Sequence, residues 1–342
     1  MAAVTTTNIA PFNSYIHTTG LAVAEPKLLH SKFGTKISIP QKNSKTLKLR
    51  RFEQIAPTDG KSAATAKILV EGTVPTEVNP TTTDYTLTLS QYGNLMRWTE
   101  QTEWINEFTV DTEFMKRNSE NMAQVLDQVN RDGMLTGTQF GRLTDSIGTI
   151  GAGARTTVTG LVNGPALDKA TTVLEALDAK YFTGGVKASG NIGTSAVRPG
   201  YVCIIHPHVK LDAQKIPGYK STSDYGSQEG LLDGEVGAYN NIRFVMSSRA
   251  KIFADTGGTP SGTRSTGASL NDVYPCLIIA KDAYVTVDIA STASIHYTPH
   301  TQLDSGANAL GQIASLGWTA MAGSLITNDS WFYRLEVAAS SI

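Results

Sequence analysis

The stretch Ser44-Lys45-Thr46-Leu47-Lys48-Leu49-Arg50-Arg51-Phe52 alternates apolar Leu47 and Leu49 with Thr46, Lys48 and Arg50. A period of two belongs to a half-exposed strand. Its mate is predicted at Asp84-Tyr85-Thr86-Leu87-Thr88-Leu89-Ser90, where Tyr85, Leu87 and Leu89 share one face. About thirty residues separate the two strands, among them Pro57-Thr58-Asp59-Gly60, Glu71-Gly72-Thr73-Val74-Pro75 and Asn79-Pro80-Thr81-Thr82-Thr83. A connection of that length is unusual inside a compact domain and tends to be functional. It carries few aromatics and several charges, so it has little to bury against its own chain. The pattern predicts an extended β-hairpin over residues 44–98 that projects from the body.

Outward from that ribbon, residues 1–30 show no sustained period and mix Thr, Asn and Pro with isolated anchors at Tyr15, Ile16, Leu28 and Leu29. They read as an extended arm. Downstream, Met115, Met122, Val125, Leu126 and Val129 recur at threes and fours, which predicts a helix over residues 111–135 with Asp111 as its N-cap. Such a helix would be roughly 35–40 Å long, and its narrow apolar stripe leaves one side for a sheet and the other for solvent or a partner. Gly133 and Gly137 end it. A glycine-rich passage at Ile147-Gly148-Thr149-Ile150-Gly151-Ala152-Gly153-Ala154-Arg155 marks a junction between lobes. A second helix follows over residues 164–181, with Pro165 in its first turn and Leu167, Val173, Leu174 and Leu177 as its buried stripe. Beyond Arg198 the pattern turns to buried strands, at 201–205, 241–246, a pair at 276–280 and 284–289, then 313–321 and 330–337. Residues 256–269, rich in Gly, Thr and Ser, read as a surface loop.

The composition supports this division. A chain of 342 residues makes roughly two compact units, or one with long excursions. The 40% hydrophobic share excludes wholesale disorder, and about forty threonines with 31 glycines favour strands and turns over a helical bundle. A net charge of −1 argues against an open electrostatic binder of nucleic acid. No apolar run reaches the eighteen or so residues needed to span a bilayer, and the first residues carry neither a basic leader nor an apolar core, so no membrane association is expected. The two cysteines, Cys203 and Cys276, each sit inside an apolar run and read as small core hydrophobes; a disulfide between them is left open. The chain is expected to be soluble and made in a reducing cytoplasm.

The search for chemistry yields little. Gly151-Ala152-Gly153 begins a dinucleotide fingerprint but meets Thr156 where the third glycine should stand. There is no phosphate loop and no nucleophile elbow. Of six histidines, His206 and His208 flank a proline after a buried strand, and His296 and His300 form a second close pair. Four imidazoles suit zinc, yet no carboxylate or cysteine stands beside either pair at ligand spacing, so strand-end histidines that cap a helix or face water are expected. Glu229, Asp233 and Glu235 cluster among glycines and read as a turn with solvated charges. Lys45, Lys48, Arg50 and Arg51 could bind phosphate, but the strand period puts Lys48 and Arg50 on a solvent face, guarding an edge. No active site, cofactor or metal is predicted.

Several stretches, taken in order, resemble one family. They are Lys32-Phe33-Gly34-Thr35, Ile39-Pro40, the 45–52 strand, Glu71-Gly72-Thr73-Val74-Pro75 and Gln91-Tyr92-Gly93. Further on come Ile205-His206-Pro207-His208-Val209, Gly234-Glu235-Val236-Gly237-Ala238-Tyr239 leading into Ile242-Arg243-Phe244-Val245, and Tyr274-Pro275. Ala280-Lys281-Asp282-Ala283-Tyr284, Gly317-Trp318 and Asn328-Asp329-Ser330-Trp331 close the set. From about residue 30 to the C-terminus the chain resembles a major capsid protein of a tailed bacteriophage, in the branch typified by short-tailed phages with large virions. No single motif is specific; the ordered set is.

The resemblance implies an α+β shell fold shared by tailed phages and herpesviruses. Its parts would be an N-terminal arm (1–30), an extended hairpin loop with flanking strands (44–98), a peripheral domain (99–164) carrying a spine helix at 111–135, an axial domain (165–290) and return strands (291–342). It implies a structural protein that self-assembles into hexamers and pentamers of an icosahedral shell around double-stranded DNA, contacted non-specifically. Portal and possible decoration proteins would be partners, as would a separate scaffold protein, since no charged scaffolding segment precedes the arm. Arg50, Arg51, Glu71 and Glu77 are candidates for complementary charges at the rim between subunits. Some relatives form a covalent Lys–Asn bond between subunits; no such pair is identified here. Residues 148–155 and 256–269 depart from the family pattern. Two alternatives from other classes are a metal-dependent hydrolase built on His206, His208, His296 and His300, and a β-rich tail component of a virion.

Overall fold

Apolar runs in the second half of the chain are too continuous for a sheet wetted on one face. The computed structural model describes residues 28–53, 69, 71–74, 79–105, 110–145, 147–187, 196–226, 231–267, 269–290, 293–299 and 310–341. The chain opens with β1 (Thr35–Ile39), β2 (Thr46–Phe52), β3 (Thr82–Thr88) and β4 (Ser90–Thr99), followed by α1 (Glu100–Ile105) and α2 (Val110–Met134). Next come β5 (Phe140–Leu143), β6 (Ile150–Gly151), α3 (Gly164–Ala176), β7 (Tyr201–Ile205) and α4 (Pro207–Gln214). Then follow β8 (Lys220–Ser221), β9 (Glu235–Tyr239), β10 (Ile242–Met246), β11 (Tyr274–Ile279) and β12 (Tyr284–Ile289). β13 (Ser294–Thr298), β14 (Ile313–Ile326) and β15 (Phe332–Val337) complete the fold, which is α+β.

An eight-stranded mixed sheet runs in the order β6-β5-β15-β11-β7-β10-β9-β8. Along β7 the side chains alternate between two cores. Tyr201, Cys203 and Ile205 pack beneath α3 and α4, with Leu167, Ala170, Leu174, Val209 and Ala213. Val202 and Ile204 face the other way, onto Leu29, Phe33, Met134, Tyr284 and Ile326. Coverage on both faces explains why β7 and β11 carry apolar runs rather than alternation, while β15 sets buried Arg334 and Glu336 between apolar residues. Cys203 and Cys276 are free, buried thiols in neighbouring strands. Burial, with Cys276 close by, pushes the Cys203 thiol far above its ordinary range.

The second sheet is organised around β14, which pairs β4 along one edge and both β12 and β13 along the other, with β1 outside β12. Helix α2 lies along β14. The Trp318 indole N–H donates to Asn121 Oδ1 at 3.1 Å, and the Ser324 hydroxyl donates to the Asn130 carbonyl at 3.1 Å. Nine residues of helix rise about 14 Å and six of strand about 20 Å, so the two elements run side by side over several turns. A Cβ at Gly133 would overlap Ser324, whose carbonyl oxygen would lie 2.9 Å and Cβ 3.0 Å away, so contact there requires glycine.

Several expectations need correction. The face that α2 buries is polar: Asn118, Asp127 and Asn130 are buried, while Met115 is 36% exposed and Met122, Val125, Leu126 and Val129 are half-buried. Small residues Ala320, Ala322 and Ser324 on β14, with an indole to bond, favour a close polar seam over a thick apolar one. Helix α2 already contains Asp111 and Gly133, and any cap precedes the described helix. Helix α3 stops at Ala176, where Asp178 turns left-handed at φ 53°, and Val173 and Leu177 are exposed. Residues 276–280 and 284–289 do not pair with each other. At Asp282, with φ 61°, the chain passes from β11 in one sheet to β12 in the other. Residues 1–27 of the expected arm, and most of the hairpin tip, lie outside the described residues.

Gly133→Ala tests the helix–strand contact. Alanine would favour an exposed helix by about 1 kcal/mol, but here the overlap with Ser324 is expected to destabilise the chain by roughly 1–3 kcal/mol. Denaturant titration reads the sign, and an unchanged or raised midpoint would refute the close approach.

Candidate self-association surface

The two alternating segments pair as antiparallel strands, Thr46 opposite Thr88 through Phe52 opposite Thr82. The inward side chains of this ribbon, Leu47, Leu49 and Leu87, together with buried Leu89, pack on Ile39, Val285 and Val287 of the five-stranded sheet. Leu87 and Leu89 lie close over Gly323. The outward face, with Lys48, Arg50, Phe52, Thr82, Asp84, Thr86 and Thr88, is exposed. Phe52 is 72% exposed, and beyond it Leu69 and Val74 are 72% and 89% exposed. Apolar area left in water beyond an anchored base is what an interface offers.

The predicted rim charges occupy different positions. Arg50 makes a bidentate pair with Asp84 at 2.7 and 2.8 Å, directly across the ribbon, with both groups largely exposed. Hydrogen bonding to Arg50 holds the Asp84 carboxyl below its ordinary range. Arg51 turns inward, bonding Glu53 and the Thr327 carbonyl of the body, while the Thr83 hydroxyl donates to Glu53 at 2.6 Å. Thr83, and then Arg51, hold the Glu53 carboxyl low. Glu71 is exposed beside Gly72, which has φ 78°. Glu77 lies outside the described residues.

The histidines do not converge. His206 caps α4, and its Nδ1 accepts the His208 N–H at 3.2 Å; His208 Nδ1 meets the Tyr274 hydroxyl at 3.0 Å. His296 belongs to the other sheet, where it contacts Ser294 and Thr319. His300 lies outside the described residues. Among the described residues no group of three or more His, Cys, Asp or Glu is placed to hold a metal ion. No helix there is long and apolar enough to cross a membrane.

With this geometry in place, comparison is informative. No family model matches the sequence, and no curated protein matches it. Solved structures do. The capsid structure of cyanophage P-SCSP1u matches at 15% identity and TM-score 0.62, over 96% of this chain and 94% of that one. The capsid of Ralstonia phage GP4 matches at 11% and 0.64, over 100% and 99%. The cyanophage Pam1 capsid matches at 10% and 0.63, over 98% of each chain. The fold is that of phage capsid proteins. At these identities the likeness is one of fold, and it extends over nearly the whole chain.

Two buried ionic clusters inside this capsid fold escaped sequence reasoning. Glu235 is not solvated as expected: its carboxylate is buried against Arg243 at 2.8 Å and accepts the Tyr225 hydroxyl at 2.7 Å. Asp233 is exposed and pairs with Lys32, and Glu229 lies outside the described residues. The available signal was the short Asn240-Asn241 turn, which folds Arg243 back toward Glu235. The second cluster had no local signal. Glu336 on β15 is fully buried and bonded by Arg142 at 2.8 Å and Arg155 at 2.8 and 3.0 Å, with Arg334 Nε at 3.2 Å. Burial alone would push this carboxyl up, but hydrogen bonds and charge from Arg155 and Arg142 hold it below the ordinary range.

The ribbon separates its two faces experimentally. Leu89→Ala is expected to cost about 2–5 kcal/mol in denaturant unfolding, whereas Arg50→Ala leaves the midpoint unchanged because its pair is solvated. Equal effects would contradict the anchored-base description. For the second cluster, Glu336→Gln is expected to cost about 3–5 kcal/mol by leaving buried arginines short of their counter-charge. Because the native carboxyl titrates low, its contribution is full above the unfolded value and drains as pH falls through the native one. An acid melting series that is parallel for wild type and variant would contradict this.

Proposed function

We propose that the chain is the major capsid protein of a tailed bacteriophage, a structural rather than catalytic protein, residing in the virion. The observation that carries this is the fold match to several phage capsid structures over 96–100% of the chain. In this reading the subunit forms hexamers and pentamers of an icosahedral shell enclosing double-stranded DNA, with scaffold, portal and decoration proteins as further partners.

The parts follow from that assignment. Residues 1–30 would be the arm, 44–98 the extended loop with its flanking strands, 99–164 the peripheral domain with α2 as spine, 165–290 the axial domain and 291–342 the return strands. Assembly would come from many modest contacts. The outward ribbon face and the apolar side chains beyond it gain burial only on another copy, and repeated symmetry multiplies that gain over the shell. Arg50, Glu71 and Glu77 would set register at the rim, since exposed charges contribute selectivity more than affinity, whereas Arg51, the fourth candidate, is taken up by Glu53 and the Thr327 carbonyl. The exposed Arg50–Asp84 pair supports this by placing charge on the outward face of the ribbon. A near-neutral chain would tolerate packed DNA without gripping it.

Replacing residues 57–79 with a short Gly-Ser link keeps both ribbon strands and removes the part beyond them. The truncated chain is expected to remain folded and soluble, with an unaltered circular dichroism spectrum, and to form no shells in electron micrographs under conditions where the parent does. Normal shells from the truncated chain would exclude the assembly role of the loop.

A further inference from the structure

Strand β7 leads directly into α4 through His206, whose extended backbone (φ −79°, ψ 149°) and side chain form the N-cap, with Pro207 in the first turn. Helix caps are usually hydroxyls, carboxylates or amides, which accept a hydrogen bond at any ordinary pH. An imidazole nitrogen accepts only while it carries no proton. The bond from the His208 N–H to His206 Nδ1 therefore fixes that nitrogen as unprotonated. Adding a proton would turn the acceptor into a donor facing another donor. It would also set a positive charge on the positive end of the helix.

The surroundings increase that cost. His206 is only 7% exposed. Its ring stands edge-on to His208 with centroids 4.3 Å apart, and 5.4 Å from the ring of Tyr274 on β11. Besides His208 and Tyr274, the charged groups acting on this pair are Arg264 and Asp272 of the loop before β11. Asp272 is occupied by the Asp255 and Thr266 N–H groups and the Thr266 hydroxyl. Burial first, then His208 and Arg264, push the His206 imidazole down to about 4. Burial and Arg264 also lower His208, against Asp272.

Opening of this turn would reach further than the turn itself. Val209 and Ala213 of α4 belong to the core beneath α3. Asp212 accepts both the Ser340 N–H at 2.9 Å and the Ser340 hydroxyl at 2.7 Å, tying α4 to the C-terminal segment. We propose that His206 is a proton-sensitive helix cap, and that acid releases the first turn of α4 and loosens its hold on the core and on the C-terminal segment. The inference rests on the cap geometry and is independent of the capsid assignment.

The sign follows from linkage. The opened turn exposes an imidazole of ordinary pKa, near 6.5, so protons bind the opened state first. There is no effect above that value; opening grows as pH falls and saturates once the closed state itself protonates. From pH 7.5 to 4.5 the opening equilibrium should rise on the order of a hundredfold.

Hydrogen–deuterium exchange of the full chain, read as protection factors corrected for intrinsic rate, measures this in peptides spanning residues 206–214. Wild type should lose protection on the order of a hundredfold between those pH values. His206→Asn, which keeps an uncharged capping oxygen, should lose about tenfold less protection than wild type, what loss remains coming from His208, whose imidazole is also held low. Equal acid losses in both chains, or no loss in wild type, would overturn the proposal. Should the variant fail to fold, an NMR titration of labelled histidines in wild type decides the matter. A His206 ring titrating near 4 with unprotonated Nδ1 supports the cap, and one titrating near 6.5 overturns it.

Discussion

Helix α2 and strand β14 approach so closely that glycine is required where they meet, and the rest of the molecule hangs on that contact. β14 is the shared strand of its sheet, pairing β4 on one edge and β12 and β13 on the other. Fixing the helix against β14 therefore fixes the whole sheet. At its C-terminal end α2 delivers Met134 into the core under the eight-stranded sheet, where Tyr284 and Ile326 from the five-stranded sheet also arrive. The two sheets are thus held by one rod with an end in each. His30 adds a clasp at that junction. Its backbone N–H and Nδ1 lie 2.8 and 2.7 Å from the Asp127 carboxylate on α2, and the Tyr284 hydroxyl donates to its carbonyl at 2.6 Å.

Against this rigid frame the β2–β3 ribbon is asymmetric by construction. Its inner leucines belong to the core of the five-stranded sheet, and its outer face is exposed. The Arg50–Asp84 and Arg51–Glu53 charge pairs are made within the ribbon, while Phe52, Leu69 and Val74 stay in water. An anchored inner face combined with unburied apolar area suits a part that reaches toward another molecule. That combination, more than any site chemistry, gives the surface its functional meaning.

What the sequence disclosed follows the range of each interaction. Period-two alternation at Leu47, Leu49, Leu87 and Leu89 is local, and both strands and their pairing were legible from it. The existence of α2 was legible too, from its apolar recurrence. Its buried face was not, because the bonds that seat it, from Trp318 to Asn121 and from Ser324 to the Asn130 carbonyl, come from β14 almost two hundred residues away. The supposed hairpin at Asp282 failed similarly: two adjacent strands look alike whether they pair or part, and only the sheets they join decide. Among the site residues, the solvent face of Lys48 and Arg50 was readable. The partners of Arg51 were not, since Thr327 lies far along the chain. His206 as a cap was foreseeable from its place before proline at a strand end.

Glu336 also governs how β15 can sit in its sheet. It stands opposite Arg142 in the parallel pairing with β5, while its other neighbour, β11, meets it across an antiparallel ladder. Side chains alternate faces along a strand, so sliding β15 by one residue would swing the carboxylate away from the Arg142 and Arg155 guanidinium groups and bring an apolar neighbour toward them. In a strand buried along its whole length, as Phe332–Val337 is, burial alone discriminates poorly between neighbouring alignments. One buried acid supplies the missing discrimination, acting as an index pin that seats the last strand in a single alignment.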